Sequence, residues 1–314
     1  MAHQEIVQLA DRFRRLELHA AHSGRETRRA LEAVMAESRA TTLSELTEEL
    51  HENIGYLLQS LPPYAPPLNS INRALLYLED ATRAGLSLEE VKHRQNELEA
   101  NETDPIINRE KIARYLIDSI PQDGVVYTHT LSETILGVLI ELHLMGKLKR
   151  VIVTESRPNN DGWETARRLA EIQLPVCLTI DAAMPAALEK AHLMLSGAEI
   201  INLDGSVVGK IGAHLAAMIC ERYSKPLYII ADTSKINYIG WGDFYLTSLS
   251  PKDLGLNFSH PELQVSGSLF DITPAELISG YATEKGIVNA SEIPSIISDK
   301  RVSRWLMEQL SKRL

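Results

Sequence analysis

Residues 197–212 bring together an acid, a glycine turn and a lysine: Gly197-Ala198-Glu199 is followed by Asp204-Gly205 and then by Lys210-Ile211-Gly212. An ammonium group beside the main-chain N–H groups of a helix start is suited to accepting a phosphate. The strand-like run His192 to Ser196 precedes this stretch, and the apolar-periodic run Ile211 to Cys220 follows it. The charges therefore collect where one strand ends and one helix begins, the kind of edge at which open α/β sheets bind ligands. A plain αβ turn with a solvated lysine is the alternative, because short glycine motifs match by chance.

Three more segments have the same character. In Tyr127-Thr128-His129-Thr130-Leu131-Ser132-Glu133, hydroxyl and backbone N–H groups at a helix start could hold an anion, or Ser132 could simply cap the helix. The polar loop Thr154 to Gly162 carries Arg157, which matches phosphate with two parallel hydrogen bonds but could equally pair with Glu155 or Asp161. Ala231-Asp232-Thr233-Ser234-Lys235 again ends a strand-like run, with Lys235 as its cation.

The elements that must position these groups fall into two textures. Three-to-four spacing of apolar residues predicts helices over 3–20, 25–38, 42–60, 69–84, 87–101 and 106–118, with the prolines at 62, 63, 66 and 67 marking one extended loop. From Gly124 onward, short apolar, mostly β-branched runs at 125–128, 151–154, 176–180, 193–196 and 227–231 read as strands, with helices beginning near Ser132, Gly162, Pro185 and Lys210. Strands alternating with helices of ten or more residues predict parallel βαβ units in a doubly wound sheet. The expected organisation is an α/β protein with an N-terminal helical domain, 1–119, and a Rossmann-like, mainly parallel sheet domain, 120–314.

Composition narrows the function. The chain of 314 residues, 44% hydrophobic and 24% charged, is that of an ordinary globular protein, and its net charge of −10 argues against a nucleic-acid binder. Small anionic ligands remain allowed. The two cysteines, Cys177 and Cys220, suggest neither a disulfide framework nor a metal site, and a reducing cytoplasm is expected. No apolar run approaches the roughly 18 residues of a membrane span.

In their order and spacing, these segments resemble the initiation-factor-2B-like family, which includes regulatory alpha, beta and delta subunits of initiation factor 2B and two sugar-phosphate isomerases. The landmarks are Thr128-His129, Thr154-Glu155-Ser156-Arg157-Pro158, Asp181-Ala182-Ala183, Gly197-Ala198-Glu199, Asp204-Gly205 with Lys210-Ile211-Gly212, and Phe270-Asp271-Ile272-Thr273-Pro274. The resemblance implies a helical domain followed by a Rossmann-like domain, dimers or larger assemblies, and a pocket for phosphorylated sugars or nucleotides. It further implies that Arg157, Lys210 and Lys235 line that pocket, helped by Ser132 and the main chain around Thr130. His129 would hold a strand end, and Asp271 would cap the Thr273-Pro274 helix start.

The isomerases of this family, for methylthioribose 1-phosphate and ribose 1,5-bisphosphate, carry a proton-transferring cysteine and aspartate where this chain has Thr130 and Glu199. A threonine hydroxyl is too weak an acid to stand in for a thiolate, and the extra methylene of glutamate moves its carboxylate by about 1 Å, which can cost about 100-fold. Gly209 stands where the isomerases have asparagine, and Glu133 where a substrate-binding lysine is expected. The isomerases' N-terminal arginine-glycine phosphate loop has only His22-Ser23-Gly24-Arg25 as a counterpart, and Pro63-Tyr64-Ala65-Pro66 replaces a second arginine. Gly-Ala-Glu is the form of the alpha regulatory subunit.

The expected function is therefore binding of a phosphorylated sugar or nucleoside monophosphate by a regulatory homodimer or higher oligomer, with a protein partner as a further candidate. No cofactor, metal, nucleic acid or membrane is implied. The alternative is an aldose–ketose sugar-phosphate isomerase in which Glu199 moves the proton.

Overall fold

A computed structural model describes residues 2–15, 17–18, 20–61, 64–94, 105–240, 249–258, 260–297 and 301–312. These cluster into two compact units, one of 2–94 with 234–240 and 301–312, the other of 105–233 with 249–297. This division differs from a single cut near residue 120. The helix Pro105–Leu116 packs on Glu133–Leu144 and sends Ile112, Ala113 and Leu116 into the core of the second unit, while Ile239, Leu306 and Leu310 enter the core of the first.

The first unit is built on the helices Gln4–Arg14, Ala20–Glu37, Leu43–Leu58, Ala65–Ala84 and Leu88–Arg94. Local chemistry sets their ends. The Thr42 hydroxyl accepts from the Glu45 amide at 3.2 Å while the Glu45 carboxylate accepts from the Thr41 amide at 2.8 Å. Pro66 and Pro67 lie inside a helix rather than in the expected extended loop, because proline lacks the N–H that a first turn leaves unpaired. Pro62 and Pro63 fall outside the described residues, as do 95–101 of the helix expected over 87–101. Leu50, Ile54, Leu57, Ile71 and Leu75 are among the buried residues that join these helices.

In the second unit the strands β1 (Gly124–Thr128), β2 (Leu148–Thr154), β3 (Val176–Thr179), β4 (Leu193–Gly197) and β7 (Leu227–Ile230) fall where the short apolar runs predict them. With β10 (Gly280–Thr283) and β11 (Gly286–Val288) they form a sheet in the order β11-β10-β7-β4-β1-β2-β3, parallel except for the β10–β11 pair. The connecting helices are Glu133–Leu144, Asp161–Glu171, Met184–Lys190 and Ala213–Arg222. The chain is thus α/β, with a mostly parallel, doubly wound sheet.

One expectation fails in an informative way. Lys210 does not open a helix: it ends strand β6 (Val207–Lys210), which pairs antiparallel with β5 (Ile200–Asn202) on one side and with β9 (Phe270–Thr273) on the other. Gly205, at φ 86°, makes the turn between β5 and β6, where a Cβ would lie 2.6 Å from Ala290 Cβ. The helix starts only at Ala213, after Gly212 at φ 98°.

Candidate functional site

The sheet changes direction between β1 and β4: β2 and β3 build outward on one side of β1, whereas β4 and β7 lie on the other. Such a switch point opens a crevice at the carboxyl ends of the strands. Here those ends are Thr128-His129-Thr130 and Gly197-Ala198-Glu199. Thr128 Oγ1 donates across to the Leu195 carbonyl at 2.9 Å, and a Cβ at Gly197 would stand 3.2 Å from Ser132 Oγ.

His129 is committed to structure. It is buried, its Nε2–H donates to the Ile211 carbonyl at 2.7 Å, and Nδ1 is thereby left as an acceptor for the Thr154 hydroxyl at 2.9 Å. Ser156 Oγ lies 3.2 Å from the same Nδ1 and accepts from the Thr130 amide at 2.7 Å. Thr130 and Ser156 both adopt left-handed backbone, at φ 64° and 63°. The Thr130 carbonyl accepts from Thr165 Oγ1 at 2.8 Å, and the Thr130 hydroxyl points to Asp161 Oδ2 at 3.4 Å. Ser132 caps the helix that follows, accepting from the Ile135 amide at 3.3 Å. Glu133 forms a two-point pair with Arg168, which accounts for the acid at that position within the protein.

Two sets of backbone amides, one in the Arg157 loop and one at the helix start anticipated after Lys210, are filled by carboxylates of the chain. Asp181, at the end of β3, accepts from the Ser156 and Arg157 amides at 2.9 and 2.7 Å. Asp271, on β9, accepts from the Gly212 and His214 amides at 2.7 and 3.2 Å. It therefore caps the Ala213 helix rather than the Thr273-Pro274 segment, because pairing with Gly209 sets it beside that helix start. Burial raises the Asp271 carboxyl above the usual carboxylate range, against the opposing pull of those two amides.

Cations supply what the amides cannot. Lys210 is only 16% exposed; its Nζ lies 3.4 Å from Asp161 Oδ2 and 5.4 Å from the centre of the Phe270 ring. Arg157 is exposed and donates to the carbonyls of Pro158 and Leu254 at 3.2 and 3.3 Å. Glu199 is half-buried, and its amide donates to the Val208 carbonyl at 2.9 Å. Lys235, only 5% exposed, closes the 3-10 turn Thr233–Lys235 just ahead of β8 (Ile236–Asn237) and clusters with the first unit. Thr130, Arg157 and Lys210 thus gather around the loop that leads into the Asp161 helix, Ser132 lies beside Gly197, and Lys235 belongs to the first unit.

Both cysteines lie outside the strand-end segments described above, Cys177 within β3 and Cys220 within the Ala213–Arg222 helix. Burial pushes the Cys220 thiol up to about 12, and Cys177 is exposed on β3. Among the described residues, no group of three or more His, Cys, Asp or Glu is arranged to hold a metal ion.

Against known proteins, a model described as the Initiation factor 2 subunit family matches residues 19–290. The chain belongs to that family. It is 30% identical over 213 residues to translation initiation factor eIF2B subunit alpha of Dictyostelium discoideum, a match spanning 63% of this chain and 64% of that protein, less than two thirds of either. It is also 26% identical over 299 residues to a ribose 1,5-bisphosphate isomerase of Thermococcus kodakarensis, covering 91% of each. The Pyrococcus horikoshii structure titled translation initiation factor eIF-2B shares the fold, with a TM-score of 0.71, 23% identity and coverage of 91% of this chain and 97% of that one. The family therefore holds both initiation-factor-2B subunits and sugar-phosphate isomerases. Among the described residues, no helix is long and apolar enough to cross a membrane.

Sequence reasoning missed the roles of Asp161 and Asp181, and it missed Asn69, whose side-chain amide donates to the Ser234 and Ile236 carbonyls at 2.8 and 3.0 Å. Asp161 was detectable as an acid in a helix's first turn, where the dipole favours it. Asp181 and Asn69 carry no local signal, because their partners lie 24 and more than 160 residues away.

Proposed function

We propose that this protein binds a phosphorylated sugar or nucleotide as a regulatory, oligomeric, cytoplasmic member of its family, and that it lacks the thiol-based proton transfer of the isomerases. The single observation behind this is the environment of Thr130. The group at the position of the isomerases' thiol is a hydroxyl directed at a carboxylate, and the adjacent imidazole already spends both nitrogens on Ile211 and on Thr154 with Ser156. A hydroxyl donating at 3.4 Å to a carboxylate that also faces Lys210 is a far weaker acid than the thiol it replaces. Lys210 and Arg157 supply the charge for a phosphate, and Lys235 is carried as a third cation on the strength of the family resemblance.

Thermal melts against pentose phosphates, pentose bisphosphates and nucleoside monophosphates test the binding. A ligand at about 100 times its Kd stabilises the fold by about 2.7 kcal/mol. A shift lost in Lys210→Ala is expected; no shift from any compound would overturn the proposal and leave a subunit that acts through protein partners alone. The second reading, an isomerase using Glu199, has in its favour the coverage of 91% of both chains with a ribose 1,5-bisphosphate isomerase. It requires turnover that Glu199→Gln abolishes.

A further inference from the structure

Asn69 lies in the first turns of the Ala65–Ala84 helix and is 4% exposed. Its side-chain Nδ2 donates to the carbonyls of Ser234 and Ile236 at 2.8 and 3.0 Å, clamping the backbone on both sides of Lys235. The two bonds fix the amide's orientation, since turning it over would aim its oxygen at two carbonyl oxygens. The oxygen that results, Oδ1, is buried and has no hydrogen-bond partner. A buried acceptor left unpaired costs free energy, and the great majority are satisfied by protein or ordered water.

We infer that Asn69 is a ligand-binding residue whose Oδ1 accepts a hydrogen bond from a hydroxyl of a polyol phosphate, while its Nδ2 holds the turn that presents Lys235. This rests on the proposed binding of a phosphorylated ligand and narrows its class. A fully ionised phosphate offers only acceptors and gains nothing from Oδ1, so the partner must be a donor, which a sugar phosphate supplies as its free hydroxyls. The same chemistry recurs in the second unit, where Asn160 Oδ1 in the Arg157 loop and Asp271 Oδ1 on the strand beside Lys210 are also buried acceptors without partners.

The test compares two probes of equal charge and chain length: ribose 1,5-bisphosphate, and pentane-1,5-diol bisphosphate, which lacks the free hydroxyls. Wild-type protein is expected to favour the sugar by about tenfold or more in Kd. Asn69→Leu, of nearly the same volume, should reduce that preference at least threefold; Asn69→Ser serves if the leucine variant does not fold. Binding of both probes without preference, or a preference unchanged in the variants, overturns the role of Asn69 while leaving the phosphate site intact. No binding of either probe to wild-type protein removes the underlying proposal, and this inference with it.

Discussion

Lys210 and Lys235 are both lysines at strand ends, but the protein holds them by different means. Lys210 stands at the end of a strand with a carboxylate 3.4 Å away and an aromatic face beneath it. Lys235 stands on a short turn whose two flanking carbonyls are clamped by an asparagine from a distant helix. The first is placed by strand pairing and charge, the second by a backbone clamp. A ligand phosphate must therefore compete with Asp161 for Lys210, whereas at Lys235 the backbone on both sides is held by Asn69.

The largest expected effect tests the support on the Lys210 side. A Cβ at Gly162 would lie 1.8 Å from the Thr154 carbonyl oxygen, so Gly162→Ala must displace the helix start that carries Asp161. We expect a loss of about 3 kcal/mol in denaturant unfolding. Lys210→Ala and Lys235→Ala should each weaken sugar-phosphate binding about 10- to 100-fold by titration calorimetry. The Lys210 contribution should fade further as salt is raised, because that group is partly exposed.

Smaller effects sharpen the contrast. Asp161→Asn removes the carboxylate that competes for Lys210 and should tighten anion binding about threefold at low salt, with no change in any contribution from Lys235. Asp271 provides a pH test. Its carboxyl is raised by burial, so the folded protein holds that proton more tightly than the unfolded chain does. The stabilisation is complete below the unfolded value and is lost as pH rises through the folded one. Melts of wild type and Asp271→Asn should therefore converge at acidic pH and separate as pH rises, with wild type the weaker; parallel curves would contradict the raised value.

Much of the sheet was legible because parallel strands buried on both faces read as short, nearly continuous apolar runs. Val151 to Thr154 and Leu193 to Ser196 are of this kind, and both lie within observed strands. The small antiparallel strands were not. Ile200–Asn202 and Val207–Lys210 are three and four residues long, and a glycine turn joining them has the same composition as a phosphate loop entering a helix. The cations of the candidate site were visible as residue types at strand ends. Their competitors were not, since Asp181 and Asp271 reach the loop amides only through tertiary pairing.

The central claim is binding without turnover, and one measurement reaches it directly. Wild-type protein is saturated with ribose 1,5-bisphosphate, as judged by its melting shift, and the sugar is followed by carbon NMR for conversion to the ketose. The account predicts a stabilised protein and an unchanged aldose. Ketose formation that disappears in Glu199→Gln would contradict it and make the protein an isomerase.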